Sequence, residues 1–256
     1  MEKQDCMKEH PIIVQGAMSV ETAELIGALA EAKEEPFGPW RCVRGVLDGH
    51  PVVIQETQWG MANAAALAAL AIERYAPRAI VSQGTAGAHD ADLDVYDIVL
   101  GARTVNESAW QSHYRPEGAG APYDDLKQLG VFAWDAEQQT FTQEVYHAAD
   151  ESLLAAARRA APRYPRGKVV EGTIGTCDSW NCAIDRVHFL RQFYGSLCEE
   201  MEGDAVAQIA KSYGVPFLAI RIISNSIWKN QDPWDLGTGP ACQGFVREVV
   251  REYWGD

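Results

Sequence analysis

The sequence predicts a three-layer α/β fold with its functional site at the ends of the strands. Strongly apolar segments of strand length alternate along the chain with segments of helical periodicity. The apolar segments repeatedly end in glycine or polar residues, as strands do when they lead from a buried sheet into a loop. A chain of 256 residues with 47% hydrophobic residues can bury one large core.

The strands are predicted from short apolar runs bounded by turn residues. Asp48-Gly49-His50, between two such runs, is a hairpin signal. The run at 215–224 is the most hydrophobic in the chain. Together these signals predict strands at residues 11–18, 40–47, 51–56, 79–83, 95–105, 168–175 and 215–224.

The helices are predicted from apolar residues spaced three and four positions apart. Ser19 is expected to cap the first helix, whose apolar face extends to Ala30, and the alanine-rich second helix ends at Tyr75 because Pro77 follows it. Residues 106–143 show no period and predict a long loop, a kind of segment that often carries function. Further helices are predicted at residues 144–161, 185–193, 204–213 and 243–254.

The charge of the chain argues against nucleic acid or an anionic membrane as the main partner. The net charge is −14, whereas both partners require basic surface. No apolar run reaches membrane-spanning length, and residues 1–10 form a polar lead-in without the hydrophobic region of a signal peptide. One domain is therefore predicted at residues 11–256.

The cysteines predict a cytoplasmic protein without a metal site. Six cysteines are scattered through a chain that is too large to need disulfides for stability, so we expect reduced thiols. Cys177 and Cys182 have no second cysteine pair or histidine cluster near them, which argues against zinc.

An acidic cluster at 197–210 is the most unusual stretch of the sequence. Glu199, Glu200 and Glu202 occupy three of four consecutive positions before a helical pattern, although like charges this close repel and are costly to bury. A solvated acidic turn at the start of the helix is one interpretation. The other is a ligand surface, because Met201 and Gly203 suit close approach by another molecule.

The segment Gly84-Thr85-Ala86-Gly87 follows a predicted strand. Its glycines allow an anion or another ligand to approach the backbone closely, and a tightly packed turn is the alternative. The segment is neither a Walker A loop nor a dinucleotide fingerprint, and the chain has no G-x-S-x-G nucleophile elbow. This motif alone does not identify a function.

Four segments together resemble the bacterial 5′-methylthioadenosine/S-adenosylhomocysteine nucleosidases of the purine nucleoside phosphorylase superfamily. The segments occur in that family's order and spacing, and the resemblance extends from about Pro11 to the last helix, apart from 106–143 and 228–240. It implies a single nucleoside phosphorylase-like domain with a central mixed, twisted sheet, no cofactor and a homodimer. The segments are Gly16-Ala17-Met18 with Glu21, Gly84-Thr85-Ala86-Gly87, Glu200-Met201-Glu202 and Arg221-Ile222-Ile223-Ser224-Asn225.

The resemblance assigns groups around the sugar. Glu21 matches the glutamate that activates the attacking water, and Thr85 replaces a family serine beside it. Met201 matches the methionine against the ribose, and Glu202 matches the glutamate that binds the ribosyl hydroxyls. These roles suit an oxocarbenium-like transition state, because carboxylates stabilise developing positive charge.

The resemblance also assigns groups around the base. Trp180 takes the place of the phenylalanine that stacks on the purine, and Asn181 lies where backbone groups read the base edge. Ala86 and Gly87 are expected to contact the substrate. Asn225 stands where the family has an aspartate, the general acid at purine N7.

Asn225 is a departure from the family pattern. An amide cannot donate a proton as a carboxylic acid does, although it forms hydrogen bonds through both N–H and C=O. In this respect the sequence is similar to the phosphorylases that prefer 6-oxopurines, which have an asparagine at this place. Asp178 and Asp204 are two other carboxyl groups that could supply the acid.

We therefore expect an N-glycosyl hydrolase whose small-molecule substrate is methylthioadenosine, S-adenosylhomocysteine or a related purine nucleoside. Hydrolysis is favoured over phosphorolysis because the two glycine segments contain no Arg or Lys, although Arg41, Arg44 or Arg103 could reach a phosphate. A 6-oxopurine nucleosidase or phosphorylase is the first alternative, and a catalytically impaired nucleoside-binding or storage protein is the second. Glu199 is expected to be solvated, and the loop residues expected to line the pocket are Trp110, His113 and Tyr114.

Overall fold

A mixed sheet organises the residues that this computed structural model describes, which are 10–120, 122, 124–135, 138–229 and 234–255. Nearly all of the predicted lead-in lies outside these ranges. Six helices are described, α1 Ala23–Gly27, α2 Met61–Tyr75, α3 Glu151–Ala160, α4 Ile184–Tyr194, α5 Gly203–Ser212 and α6 Thr238–Trp254. Fourteen strands are described, β1 Ile12–Gly16, β2 Ala30–Phe37, β3 Trp40–Leu47, β4 His50–Glu56, β5 Ala79–Ala88, β6 Ile98–Asn106, β7 Trp110–Ser112, β8 Leu126–Gln128, β9 Val131–Asp135, β10 Thr140–Glu144, β11 Tyr146–Ala148, β12 Val169–Thr176, β13 Ser196–Glu200 and β14 Phe217–Asn225.

Ten of the described strands form one sheet in the order β11-β6-β12-β13-β5-β1-β4-β3-β2, with β14 pairing to both β5 and β6. β1 is parallel to β4 and β5, and β14 is parallel to β5 but antiparallel to β6. Because β14 joins β5 to β6, these strands close a ring with β12 and β13. The prediction of a mixed central sheet is confirmed.

The two faces of the sheet are covered by different helices, which confirms the three-layer prediction. Alternate residues of a strand point to opposite faces. Ile12 and Val14 belong to the buried cluster that contains apolar residues of α1, α3 and α6. Ile13 belongs to the cluster that contains residues of α2 and α5. Each such side chain contributes roughly 1.5–3 kcal/mol when fully buried.

The first predicted helix is wrong in its start and its end. Ser19–Glu21 forms a short 3₁₀ turn without a side-chain cap, and the α-helix that follows is only five residues long. Ala30, predicted to belong to the helix, starts strand β2, which pairs with β3 at the edge of the sheet. β2 is mostly exposed and rich in charge, a composition that protects sheet edges from pairing with other chains and hides the strand from periodicity arguments.

The predicted loop at 106–143 contains two hairpins, β7–β8 and β9–β10. The predicted helix at 144–161 is also wrong at its start, because Tyr146–Ala148 pairs with β6 and the helix begins only at Glu151. Asp150 decides that start, since its carboxylate accepts hydrogen bonds from the backbone N–H groups of Ser152 and Leu153 at 3.0 and 3.1 Å.

The sheet brings distant sequence segments to one place. Gly87 on β5 is opposite Glu199 on β13 on one side and opposite Asn225 on β14 on the other. β1 pairs with β5 in parallel, so the chain leaving Gly16 starts beside these residues. The carboxyl ends of parallel strands meet at one edge, where α/β proteins place their sites.

Gln243 on α6 holds the start of α1 in place, and its removal is expected to destabilise the fold. Its buried Oε1 accepts from the N–H groups of Glu24 and Leu25 at 2.8 and 3.1 Å, and its Nε2 donates to the carbonyl of Val20 at 2.9 Å. Gln243→Ala leaves these groups without partners, so we expect the free energy of unfolding in urea to fall by about 1–3 kcal/mol.

The matched control is Gln192→Ala, at an exposed position of α4, for which we expect a change within about 0.5 kcal/mol. Equal effects of the two substitutions would show that the Gln243 contacts do not stabilise α1.

Candidate active site

A cavity opens at the point where β1, β5, β13 and β14 end. Eight of the nine residues predicted to form the site lie in its wall, and Asn181 does not. The lining residues are Ala17, Met18, Glu21, Trp59, Thr85, Ala86, Gly87, Ser179, Trp180, Glu199, Glu200, Met201, Glu202, Ser224, Asn225 and Trp234.

Glu21 is a buried carboxylate that three hydrogen bonds hold at the cavity wall. Its Oε1 accepts from the N–H and the Oγ1–H of Thr85 at 2.8 and 2.9 Å, and its Oε2 accepts from the N–H of Ala17 at 2.8 Å. Gly84 leaves the necessary room, since a Cβ there would lie 2.7 Å from Glu21 Oε1. Burial raises the pKa of Glu21 against these hydrogen bonds, which is the property of a general base.

Arg221 and Glu200 form a buried ion pair behind the cavity. The guanidinium of Arg221 contacts Glu200 through Nη2 and through Nε at 3.2 Å, and it also donates to Ser82 Oγ at 3.0 Å. Glu200 accepts from the backbone N–H groups of Glu202 and Gly203 at 2.9 Å each. The pair therefore fixes the turn that carries Met201 and Glu202.

Glu202 lies at the start of α5 with its carboxyl group at the cavity. Its Oε1 accepts from the N–H of Gly60, which precedes α2, at 2.9 Å. Burial and the nearby Glu200 carboxylate raise the pKa of Glu202 to about 8, although the positive charge of Arg221 acts in the opposite direction. A carboxyl group with one free oxygen suits binding of vicinal hydroxyls, because it accepts when ionised and donates when protonated.

Asn225 ends β14 and faces the cavity beside Gly87. Its Oδ1 accepts from Ser224 Oγ at 3.0 Å, which leaves the Nδ2–H groups as donors toward a ligand. Its Nδ2 lies 3.4 Å from the position that a Cβ on Gly87 would occupy. Only glycine at position 87 leaves this space for a ligand in contact with the amide.

Trp180 and Asn181 have different surroundings in the structure. Trp180 lines the cavity and is 57% exposed, so its ring is accessible for stacking on a flat ligand. The backbone N–H of Asn181 instead donates to Glu199 Oε1 at 2.8 Å, and its Nδ2 donates to Oε2 at 2.6 Å. The backbone N–H of Asn181 is thus engaged by Glu199, and the reading of the base edge by backbone groups at Asn181 stays a prediction.

Several sequence predictions about surrounding residues are wrong. Glu199 is buried rather than solvated, and it lines the cavity. Trp110, His113 and Tyr114 line a separate depression. Asp204 accepts from Thr104 Oγ1 at 2.7 Å and contacts His147, away from the cavity wall. The wall also includes Trp59 and Trp234, which sequence analysis missed because they lie in segments without periodicity.

No lysine or arginine lines the cavity within the part of the chain that the structure describes. Arg41, which lies on strand β3, pairs with Glu34 on β2 and with Glu56 on β4. Arg103 donates to Thr173 and lies over the ring of Tyr146. The cations considered for phosphate binding are thus absent from the wall. The positive charge that acts on Glu21 and Glu202 is that of Arg221, and Glu200 neutralises it.

The family is decided by comparison with known proteins. The model of the Phosphorylase superfamily matches residues 11–240. A 5′-methylthioadenosine/S-adenosylhomocysteine nucleosidase of Anoxybacillus flavithermus is 31% identical over 222 residues, which are 86% of this chain and 88% of that protein. The chain belongs to this nucleosidase family.

Solved structures of the nucleosidase family and of a related hydrolase share the fold. The Neisseria meningitidis nucleosidase in complex with methylthio-immucillin-A has a TM-score of 0.74 and 26% identity, with 94% of this chain and 98% of that chain covered. Futalosine hydrolase of Helicobacter pylori has a TM-score of 0.75 and 20% identity, with 95% and 98% covered. The latter likeness shows the fold alone.

The raised pKa of Glu202 predicts that the unliganded nucleosidase loses stability as pH rises. The folded protein keeps the Glu202 proton up to about pH 8, whereas the unfolded chain releases it near 4.5. Its stabilising contribution is therefore complete below the unfolded pKa and is lost as pH rises through the folded pKa. We expect the free energy of unfolding to fall between about pH 5 and pH 8, by on the order of a few kcal/mol.

Glu202→Gln isolates this contribution, because the amide does not titrate. Urea unfolding at several pH values should show a shallower decrease in the variant, with Glu107, whose pKa burial raises to about 7, supplying part of the remaining slope. A variant with the same slope as the native chain would mean that Glu202 does not hold this proton.

Proposed function

We propose that this protein hydrolyses the N-glycosidic bond of 5′-modified purine nucleosides of the methylthioadenosine and S-adenosylhomocysteine type, releasing the free base and the ribose product. The observation that carries the proposal is the pair of carboxyl groups, buried Glu21 and half-buried Glu202, in one cavity that no described cation lines. Membership in the nucleosidase family supports the same reaction.

The two carboxyl groups act on different parts of the substrate. Glu21 takes a proton from the attacking water on the face of the sugar opposite to the base, while Thr85 and Ala17 keep its carboxylate oriented. Glu202 binds the ribosyl hydroxyls, and Met201 lies against the sugar. As the glycosidic bond breaks, positive charge develops on the sugar, and carboxylates at this place stabilise it.

Hydrolysis is favoured over phosphorolysis by the charge of the cavity. A bound phosphate dianion needs cations or several N–H donors, and Arg221 is occupied by Glu200. Phosphate beside Glu21 would also face a carboxylate that must be ionised to act as the base, which disfavours a second anion. A neutral water molecule has neither difficulty.

The base is contacted by Trp180 on one face and by the amide of Asn225 at its edge. Because Asn225 Oδ1 already accepts from Ser224, its Nδ2–H groups are available to the substrate. These donors suit N7, an acceptor in adenine and in 6-oxopurines alike, and a 6-oxygen would offer them a second acceptor. This observation keeps a 6-oxopurine nucleosidase as the second candidate function.

Base release from four nucleosides tests the function directly. Methylthioadenosine, S-adenosylhomocysteine, adenosine and inosine are incubated with the protein, with and without phosphate, and the free base is quantified. We expect release from the 5′-modified adenosines, independent of phosphate. Release only with phosphate would replace the hydrolase by a phosphorylase, and binding without any release would leave a nucleoside-binding protein.

Glu21→Gln is expected to lower kcat by about 10²–10⁴-fold, the usual contribution of a general base. The KM should change little, because the amide keeps the size of the carboxylate and one acceptor oxygen. Glu24→Gln, an exposed position three residues further along, is the control and should keep the native kcat. Equal kcat values for native protein and Glu21→Gln would remove Glu21 from the mechanism.

Glu202→Gln is expected to reduce turnover strongly without unfolding the protein, because the amide cannot ionise when positive charge develops on the bound sugar. The measurements are kcat/KM and the circular dichroism spectrum of the variant. Full activity would mean that the ribose site lies elsewhere in the cavity.

The proposal includes a homodimer in the cytoplasm that acts in methionine salvage. The dimer and the salvage role rest on the family resemblance. The reduced state of the buried thiols of Cys42, Cys177, Cys198 and Cys242 supports a reducing compartment. None of the described helices combines the length and hydrophobicity needed to cross a lipid bilayer. Size-exclusion chromatography with light scattering tests the dimer.

A further inference from the structure

The proposed reaction needs a proton donor for the leaving base, and Asn225 cannot be that donor. When the bond between C1′ and the purine nitrogen breaks, the electron pair stays on the base, so protonation of the base lowers the barrier. Among the glutamates of the cavity wall, Glu21 and Glu202 act at the sugar and Glu200 is paired with Arg221, so Glu199 is the remaining candidate. Glu199 on β13 is opposite Gly87 on β5, and Asn225 on β14 is opposite Gly87 on the other side.

Glu199 and Asn225 flank a space that suits the edge of a base. Residues directly opposite each other in a sheet point to the same face, and neighbouring strands lie about 4.8 Å apart, so the two backbones are separated by roughly 10 Å. Gly87 between them has no side chain, and all three residues line the cavity. A planar base in this space would lie between the Asn225 amide and the Glu199 carboxyl group, whose oxygens also accept hydrogen bonds from Asn181.

Glu199 is the outermost member of a buried chain of polar groups. Its Oε2 lies 3.2 Å from Nε2 of His89, and Nδ1 of His89 lies 2.8 Å from Ser196 Oγ. Ser196 Oγ donates to Glu107 Oε1 at 2.6 Å. His89, Ser196 and Glu107 are each at most 1% exposed, and they are not part of the cavity lining.

The hydrogen count of this chain places one proton between His89 and Glu199. Ser196 has a single hydroxyl hydrogen and gives it to Glu107, so Nδ1 of His89 must donate to Ser196. A bare Nε2 lone pair would then face a carboxylate oxygen at 3.2 Å and repel it. A proton on either atom removes the repulsion.

If instead Glu107 holds the proton, Ser196 donates to Nδ1, and Nε2–H again points to Glu199. The three arrangements are tautomers of equal charge, with the proton on Glu107, His89 or Glu199. In each tautomer, a single proton is shared among Glu107, His89 and Glu199. In the tautomer with the proton on Glu199, the acid faces the cavity.

Two buried atoms of the chain are left without an aligned hydrogen bond, namely Nε2 of His89 and Oε2 of Glu107. Buried polar atoms in folded proteins are nearly always bonded, and exceptions need a reason. A proton shared between Nε2 of His89 and Oε2 of Glu199, which lie 3.2 Å apart, accounts for the first of these atoms.

We propose that Glu199 is the general acid that protonates the leaving purine, and that His89, Ser196 and Glu107 are positioning residues that return the proton to it. The proposal rests on the proposed hydrolysis. The bond from C1′ to the purine nitrogen breaks, its electron pair goes to the base, and the Glu199 proton goes to a ring nitrogen of the base. The water oxygen bonds to C1′, and its proton goes to Glu21.

The same row of residues, His89, Ser196 and Glu107, restores the proton of Glu199. After the step Glu21 is protonated and Glu199 is ionised, so the cycle ends when Glu21 releases a proton to solvent and Glu199 takes one up, directly or through His89. No other co-reactant is needed.

The charges around the chain are compatible with a shared proton. Burial opposes a charged imidazole, but Glu107 and Glu199 outweigh it and raise the pKa of His89, while burial raises the pKa of Glu107 to about 7. Arg191, which pairs with Asp90, opposes a charge on His89. The other ionisable groups facing the chain are Arg186 from α4, Cys177 after β12, Tyr194 at the end of α4 and Cys198 on β13.

The test compares two leaving groups in Glu199→Gln. A purine nucleoside needs protonation of its base, whereas p-nitrophenyl riboside releases a stable anion that needs no acid. We expect kcat/KM for the nucleoside to fall by about 10²–10⁴-fold and kcat/KM for the p-nitrophenyl riboside to stay within about threefold of native. Glu24→Gln is the control and should keep native rates on both.

Two further measurements separate an acid from a structural role. Glu199→Asp keeps the acid and should recover part of the nucleoside rate that the glutamine loses. The native kcat/KM should fall at high pH as the shared proton is lost, and Glu199→Gln should lack this alkaline limb. His89→Gln should shift the limb, since a positioning residue acts through Glu199.

The outcomes distinguish this proposal from the proposed function. If the native protein releases base from no nucleoside, the hydrolase assignment falls, and the acid role falls with it. If the native protein is active but Glu199→Gln keeps its nucleoside rate, or loses both substrates equally, only the acid role is overturned. A stoichiometric bound metal that disappears in His89→Gln would also overturn it, because an ion would then replace the shared proton.

Discussion

The buried ion pair between Arg221 and Glu200 is the interaction on which the site depends. Glu200 lies at the end of β13 and accepts hydrogen bonds from the first N–H groups of the following turn and helix, while Arg221 reaches it from β14. Removing one partner of such a pair typically costs about 3–5 kcal/mol, because the other charge stays buried alone. Here the pair also sets the position of Met201 and Glu202, so stability and function share one contact.

The same pair explains how three further carboxyl groups are tolerated around one cavity. Glu21 accepts hydrogen bonds from Thr85 and Ala17, and the raised pKa of Glu202 keeps that carboxyl group protonated up to about pH 8. Glu199 is bonded to Asn181 and lies beside His89. Each acid thus has a different partner and a different proton affinity, which is how a site separates the roles of chemically similar groups. In the structure, the glutamates of the acidic cluster therefore have different partners.

The sequence predicted well those parts of the fold that are buried on both faces. β1, β4, β5 and β14 are found where continuous apolar runs predicted strands, because such runs have no other stable place than the interior of a sheet. The edge strand β2 and the hairpins at 106–143 were missed. Their residues are half solvated, so their pairing is decided by neighbours and leaves little periodic signal. Local charge and proline content even mimic a loop there.

The sequence by itself determined the family and the identity of the groups that line the cavity, because motifs keep their residue types and their order along the chain. It predicted Glu21, Met201, Glu202, Trp180 and the unusual Asn225, which the structure brings together in the cavity wall. Only the tertiary structure decided the fate of Glu199, since His89, Ser196 and Glu107 come from three distant segments that meet only when β5, β6 and β13 are packed together. Burial and the state of protonation depend on such meetings, and no local pattern in the chain encodes them.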